Sequence, residues 1–306
     1  MKKIRLGTSD LQAGEISLGC MRMADLSKQD ARHVIENAME LGVNLFDHAD
    51  IYGGGKSEEV FADAIDMNPS VREKMLIQTK CGIRKGFFDF SKEHILSSVD
   101  ESLERLKTDY IDIFLLHRPD TLMNPEEVAE AFTRLKENGK VRYFGVSNQN
   151  PMQIELLKKY MKEDLIINQL QFSLMHTPLV DAGLNVNMQH DPSIVRDSSV
   201  LEYSRLNDMT IQAWSPFQYG MINGPFIGNN EKFPEVNAKL QEMAEKKGVT
   251  DSAIAIAWIL RHPAKFQPVV GTMNPGRLSD IAQASHVEIT REEWYELYRS
   301  AGNTLP

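Results

Sequence analysis

Short apolar runs alternate along the chain with stretches whose apolar residues recur at helical spacing. Lys2–Arg5 and Gln12–Glu15 predict two short strands around a polar turn at Ser9 and Asp10. Ile16–Cys20 predicts a buried strand. Ser27 and Asp30 have capping-box spacing, Val34, Ile35, Ala38 and Leu41 follow at helical period, and Gly42 stops the helix. The alternation then repeats. Strands are expected at Val43–Asp47, Met75–Lys80, Ile111–His117, Arg142–Ser147, Leu165–Leu170, Thr210–Trp214 and Gln267–Val270. Helices are expected from Ser57, from Ser91 through Ile95, Val99, Leu103 and Leu106, from Asn124-Pro125 to near Gly139, and from Asn150-Pro151. Residues Phe172–Asp191 read as irregular, with a helix after them over about Pro192–Asn207. Helices over Glu235–Lys247 and Ser252–Arg261, one from Asn274-Pro275, and one boxed by Thr290 and Glu293 complete the chain.

Eight strands, each followed by helical sequence, imply parallel pairing with right-handed crossovers. Eight such units in this length predict an α/β fold, a (β/α)8 TIM barrel with an N-terminal β-hairpin and extra helices near the C-terminus. A doubly wound sheet is the alternative that a strand count leaves open. No linker rich in Pro, Gly or Ser divides the sequence, so residues 1–306 are expected to form one domain.

Charge and cysteine content narrow the partners. The 306 residues hold 43 acidic and 34 basic side chains, a net −9 with His neutral. An acidic surface argues against non-specific nucleic-acid binding. Cys20 and Cys81 make no disulfide framework, which points to a reducing compartment and a cytoplasmic location. The start, MKKIRLGTSD, lacks the apolar core of a signal peptide. Met209–Asn230 is free of charge but carries Ser, Gln, Asn, three Gly and two Pro, so it is not read as a membrane span. The chain is expected to be a monomer or weak homo-oligomer.

In a barrel of this kind the site lies at the C-terminal ends of the strands. Asp47, Lys80 and His117 fall there after three successive strands, and Tyr52 lies in the loop after Asp47. A free phenol, with a pKa of ~10, is a poor acid near neutrality, but an adjacent ammonium favours its anion. Asp47 can keep a buried Lys80 charged, and His117 can donate a hydrogen bond to a substrate oxygen. The set suits negative charge growing on a carbonyl oxygen. None of these groups is a reductant, so a hydride must come from a cofactor.

With those residues in order, the chain resembles the aldo-keto reductase superfamily over nearly its whole length, and within it a bacterial branch typified by YdhF. The family's Asp-x-x-x-x-Tyr-Gly appears as Asp47 to Tyr52-Gly53, its lysine strand as QTKCG and its histidine strand as LLHRPD. His48 stands where many members have Thr. The resemblance implies that Tyr52 is the general acid, that Lys80 and Asp47 tune it, and that His117 positions the carbonyl of a small aldehyde or ketone. It further implies that Ser147, Asn148 and Gln169 hold a nicotinamide amide, that Trp214 stacks on the ring, and that Ser215 and Phe217 line the pyrophosphate path. Thr272 and Arg277 match positions that grip the 2′-phosphate of NADP(H), and a guanidinium suits that group. Gly271 stands where some members have Lys, and Asp280-Ile281 where some have Glu-Asn, which keeps NAD(H) as an alternative. Some members are partner-binding subunits, so a nucleotide-binding regulator with little turnover is the second functional reading.

Other residues carry two readings each. Met21, Met23, Phe87, Phe88 and Met175 fall in predicted top loops, where they suit either an apolar substrate wall or core packing. Trp214 by itself suits core packing as well. Gly53–Ser57 mimics the end of a phosphate loop, but Asp50 occupies the place of the required glycine. Asp47 and His48 are strand neighbours pointing to opposite faces, so no metal is expected between them, and a metal-dependent hydrolase is the outlying alternative.

Overall fold

The computed structural model describes residues 1–305. Strands β1 (Lys3–Arg5) and β2 (Gln12–Gly14) pair antiparallel as the expected hairpin. Next come β3 (Ser17–Gly19), β4 (Leu45–Asp47) and β5 (Leu76–Cys81), then a two-stranded ribbon of β6 (Ile83–Arg84) and β7 (Phe87–Phe88). The remaining strands are β8 (Ile111–Leu116), β9 (Val141–Ser147), β10 (Leu165–Gln171), β11 (Thr210–Trp214) and β12 (Gln267–Val270). Eight of these close a parallel barrel in the order β10-β11-β12-β3-β4-β5-β8-β9, so the (β/α)8 expectation holds and the doubly wound alternative does not.

The helices are α1 (Lys28–Glu40), α2 (Lys56–Ala64), α3 (Pro69–Arg72), α4 (Lys92–Leu106), α5 (Pro125–Glu137), α6 (Pro151–Lys158), α7 (Pro178–Leu184), α8 (Val200–Leu206), α9 (Pro234–Lys247), α10 (Asp251–Leu260), α11 (Pro275–Ala282) and α12 (Arg291–Ser300). Most start where a side chain can satisfy the free amides of a first turn. Ser27, Ser91, Asn124, Asn150, Asn274 and Thr290 each accept such a bond, and Asn150-Gln153 and Thr290-Glu293 close full capping boxes.

Strand periodicity sorts side chains between two cores. Along β5, Ile77 and Cys81 pack outward among the helices, while Gln78 and Lys80 reach groups inside the barrel. Leu45, Ile113, Leu115 and Ile167 fill the lower interior together with Leu6, Leu11 and Ala13 of the hairpin, which plugs the bottom. The Gly7 amide donates to Thr210 Oγ1 (2.8 Å) and fastens that plug. The open end is thereby left to the loops after the strands.

Three local expectations change. The segment expected to be irregular contains α7, which begins with a proline at its first position. The helix expected over Pro192–Asn207 is confined to α8, because Ser198 and Ser199 adopt left-handed φ of 58° and 60° and break it. The helix expected from Ser57 begins one residue earlier, at Lys56, after Gly55; the Ser57 hydroxyl is buried, accepting from the Ala24 amide and donating to Met21 O, both at 3.3 Å.

Candidate active site

Strands β4, β5 and β8 are neighbours in the barrel wall, and Asp47, Lys80 and His117 lie at or just past their C-terminal ends. Tyr52 opens a tight turn running to Gly55, directly after β4. That turn needs glycine at position 53. Its φ is +60°, and a Cβ there would sit 2.6 Å from Ala24 Cβ.

Lys80 is the hinge of the cluster and is fully buried. Its Nζ lies 2.8 Å from both Asp47 oxygens, 2.6 Å from His48 O and 3.4 Å from Tyr52 Oη. Three N–H donors therefore meet one carboxylate, one carbonyl and one phenol. Asp47 Oδ1 also accepts from Gln78 Nε2 and from Gln169 Nε2 (3.1 Å). The Tyr52 and His117 rings meet edge to face with centroids 6.0 Å apart.

Burial governs the ionisation of these groups. Burial works against the Lys80 ammonium, yet the Asp47 charge, the phenol and the hydrogen bonds hold its pKa above the ordinary lysine value. Burial pushes the Tyr52 phenol up, and the opposing pull of Lys80 does not cancel it, with Asp47 adding to the rise. This departs from the expectation of a lowered phenol: the ammonium acts as expected, but desolvation is larger. Burial, then the charges of Lys80 and Arg118, holds His117 well below the usual imidazole range, so it is neutral. Its Nδ1 is buried without a partner.

The residues of β9, β10 and β11 come together beside this group. Ser147 Oγ donates to Gln169 O (3.0 Å) and accepts from Asn148 Nδ2 (2.7 Å). Asn148 Oδ1 accepts from Trp214 Nε1 (3.1 Å), and its Nδ2 also reaches His117 O (3.4 Å). Asn148 has a left-handed φ of 58°, a conformation that asparagine tolerates better than most side chains. Ser215 follows Trp214 with φ of 51°, and its carbonyl accepts from the Gln218 amide. Phe217 is half-buried against the main core. Thr272 and Arg277 stand apart, past β12, and make no hydrogen bond to the cluster. Thr272 Oγ1 accepts from the Asn274 amide (3.2 Å), and Asn274 caps α11 through the Arg277 amide (2.9 Å), leaving the Arg277 side chain exposed.

The apolar candidates separate. Met21, Phe87 and Phe88 are exposed, the last two on the β6–β7 ribbon that follows the lysine strand. Met23 is fully buried in the main core, so it packs rather than lines a wall, and Met175 is half-buried against the same core. His48 points away from Asp47, its ring 4.6 Å from that of Phe61.

Two features were missed from sequence. Arg118 is half-buried with its guanidinium carbon 5.3 Å from the Trp214 ring centroid, close enough to influence Tyr52, and no ion pair involves it among the described residues. Its place next to His117 in LLHRPD was the signal for it. Gln78 and Gln212 lie inside the barrel, and their alternation with outward-facing Ile77 and Ile211 could have placed them there.

Comparisons with known proteins bear on the family and the fold. A family model described as the aldo/keto reductase family matches residues 11–300. A 6-dehydroglucose reductase of Agrobacterium fabrum is 36% identical over 312 residues, covering 97% of each chain. Oxidoreductase YdhF of Escherichia coli is 32% identical over 312 residues, covering 98% of each. The crystal structure of the thermostable aldo-keto reductase Tm1743, solved with the inhibitor epalrestat, shares the fold with a TM-score of 0.78 at 24% identity, covering 98% of this chain and all of that one. A closed barrel, a buried lysine–aspartate pair beside a tyrosine, and a family match across nearly the full length converge: this chain belongs to the aldo/keto reductase family.

Proposed function

We propose that this chain reduces small aldehydes or ketones to alcohols using NADPH, with Tyr52 as general acid. The observation that carries the reading is the buried Lys80 ammonium shared between Asp47 and the Tyr52 hydroxyl. Bound NADPH would supply a hydride to the carbonyl carbon. As the C=O electron pair moves onto oxygen, the Tyr52 O–H bond breaks and its proton goes to that oxygen. The phenolate left behind is stabilised by the Lys80 charge, and Asp47 keeps that charge in place inside the barrel. The raised phenol pKa keeps the acid loaded near neutral pH. Neutral His117 can offer a ring N–H to the substrate oxygen without adding a competing acid.

The residues suit a nicotinamide nucleotide on geometric grounds. Gln169 has its amide nitrogen engaged by Asp47 and Gln212, which leaves Oε1 as an acceptor for a carboxamide. Trp214 is held by Asn148 and has a flat face for the ring. Exposed Arg277 in the first turn of α11 suits a 2′-phosphate, which supports NADPH over NADH. The 6-dehydroglucose reductase among the relatives places sugar aldehydes on the substrate panel. A panel of aliphatic, aromatic and sugar aldehydes is mixed with the protein and NADPH, and absorbance is followed at the nucleotide's reduced band. Turnover on at least one carbonyl is expected. Nucleotide binding without turnover on any of them would favour a regulatory barrel instead.

A further inference from the structure

A barrel interior is ordinarily filled by branched apolar side chains. This one holds a connected set of four buried glutamines, Gln78, Gln169, Gln212 and Gln267. Gln169, Gln212 and Gln267 are register partners on β10, β11 and β12, and Gln78 is the register partner of Asp47 on β5 and β4. The contact between Gln78 and Gln212 crosses the barrel.

Both ends of the set are acceptors only. At the lower end Gly14 O takes a bond from Gln267 Nε2 (2.7 Å). At the upper end Asp47 Oδ1 takes bonds from Gln78 and Gln169. These ends fix every amide between them. Gln267 must present Oε1 to Gln212, so Gln212 donates to it from Nε2 (2.9 Å). Gln212 Oε1 then faces the other two amides and accepts from Gln78 Nε2 (2.8 Å) and Gln169 Nε2 (3.0 Å). Gln212 Nε2 also donates back to Gln78 Oε1 (3.1 Å), which completes four bonds at this one side chain. The only amide atom of the set left without a protein partner is Gln169 Oε1. Unlike His117 Nδ1, it is not a sealed buried atom.

We propose that Gln212 is a positioning residue that sets the Gln169 amide, with its oxygen free to receive a nicotinamide carboxamide. The order runs from a backbone carbonyl at the barrel floor to the cofactor position at its mouth. Gln212 touches neither cofactor nor substrate. Without it, Gln169 keeps one of its two nitrogen contacts and can swing, so the acceptor is no longer held. This inference rests on the proposed nicotinamide reading.

Binding of NADP+ and of 2′,5′-ADP, which lacks the nicotinamide, is measured by calorimetry for the wild type and Gln212→Met, which keeps length and loses hydrogen bonding. The expected result is NADP+ binding weakened about 10-fold with 2′,5′-ADP affinity unchanged. Gln212→Glu, buried beside Asp47 and so held protonated, retains one donor and one acceptor. It is expected to recover NADP+ binding at low pH and lose it as the pH rises. If Gln212→Met does not fold, Gln267→Met removes the lower fixed end and is expected to act in the same direction. Equal loss of both ligands, or loss of neither, overturns the positioning role. A wild type that binds 2′,5′-ADP and NADP+ equally well overturns the nicotinamide reading and this inference with it.

Discussion

The Lys80 ammonium stands 3.4 Å from the Tyr52 hydroxyl and closer, at 2.8 Å, to each Asp47 oxygen. The short bonds anchor the charge, and in the proposed reaction the longer one would leave the phenol free to release its proton to another oxygen. Position and charge are thus supplied by different partners of one nitrogen.

That division predicts what removal of the lysine does. Lys80→Met leaves the Asp47 carboxylate buried with only amide donors, at a cost of about 3–5 kcal/mol of stability. Adding Asp47→Asn removes the stranded charge and is expected to return part of it. Thermal unfolding of the two single variants and the double variant measures the coupling. Additive losses would contradict a shared buried pair.

Asp50 gives a pH-dependent test. Burial, then the charge of Glu58, raises its carboxyl from an ordinary 3.8 to about 6, and Oδ1 has no partner. A raised folded-state pKa means stability that is full below the unfolded value and is lost as pH rises through about 6. Asp50→Asn is neutral throughout. It is expected to match the wild type at low pH and to exceed it above neutrality by about 3 kcal/mol. Melting curves at both ends of that range check this, and an equal gain at both would count against the assignment.

Under the proposed reading, Arg277 would distinguish the two nucleotides. Arg277→Ala is expected to raise KM for NADPH about 10-fold or more while leaving KM for NADH where it was. Steady-state kinetics with both nucleotides settle the matter. An equal change in both would remove the 2′-phosphate from its proposed partner.

The place of Arg118 predicts an effect on substrate choice. Its half-buried guanidinium lies over Trp214 and near Tyr52. Arg118→Leu is expected to reduce kcat/KM for aldehydes bearing a carboxylate about 10-fold more than for neutral aldehydes of similar size. Paired substrates differing only in that group supply the comparison, and a uniform reduction would assign Arg118 to packing.

Much of this was legible in the sequence because its signals are local. Caps at Ser27, Ser91, Asn124, Asn150 and Thr290 are set by one side chain and the amides a turn away. The cluster was legible because Asp47, Lys80 and His117 sit at or next to the ends of neighbouring strands, with Tyr52 in the loop after the first, so strand order fixes their proximity. What was not legible depends on distant atoms. The opposing effects on Tyr52 needed the actual depth of burial. The burial of Met23 depends on the helices that pack over it. The glutamine set needed the barrel closed, since Gln78 and Gln212 meet across 134 positions of sequence. The interruption at Ser198 and Ser199 lies in the backbone itself, and a run of polar residues gives little warning of it.

The most direct test of the proton-donor role is Tyr52→Phe, which removes one oxygen and keeps the ring against His117. NADPH oxidation with the best aldehyde is followed for both proteins, alongside nucleotide binding by fluorescence. The account predicts intact binding and a kcat lowered about 10²–10⁴-fold. Turnover at the wild-type rate with binding intact would contradict it.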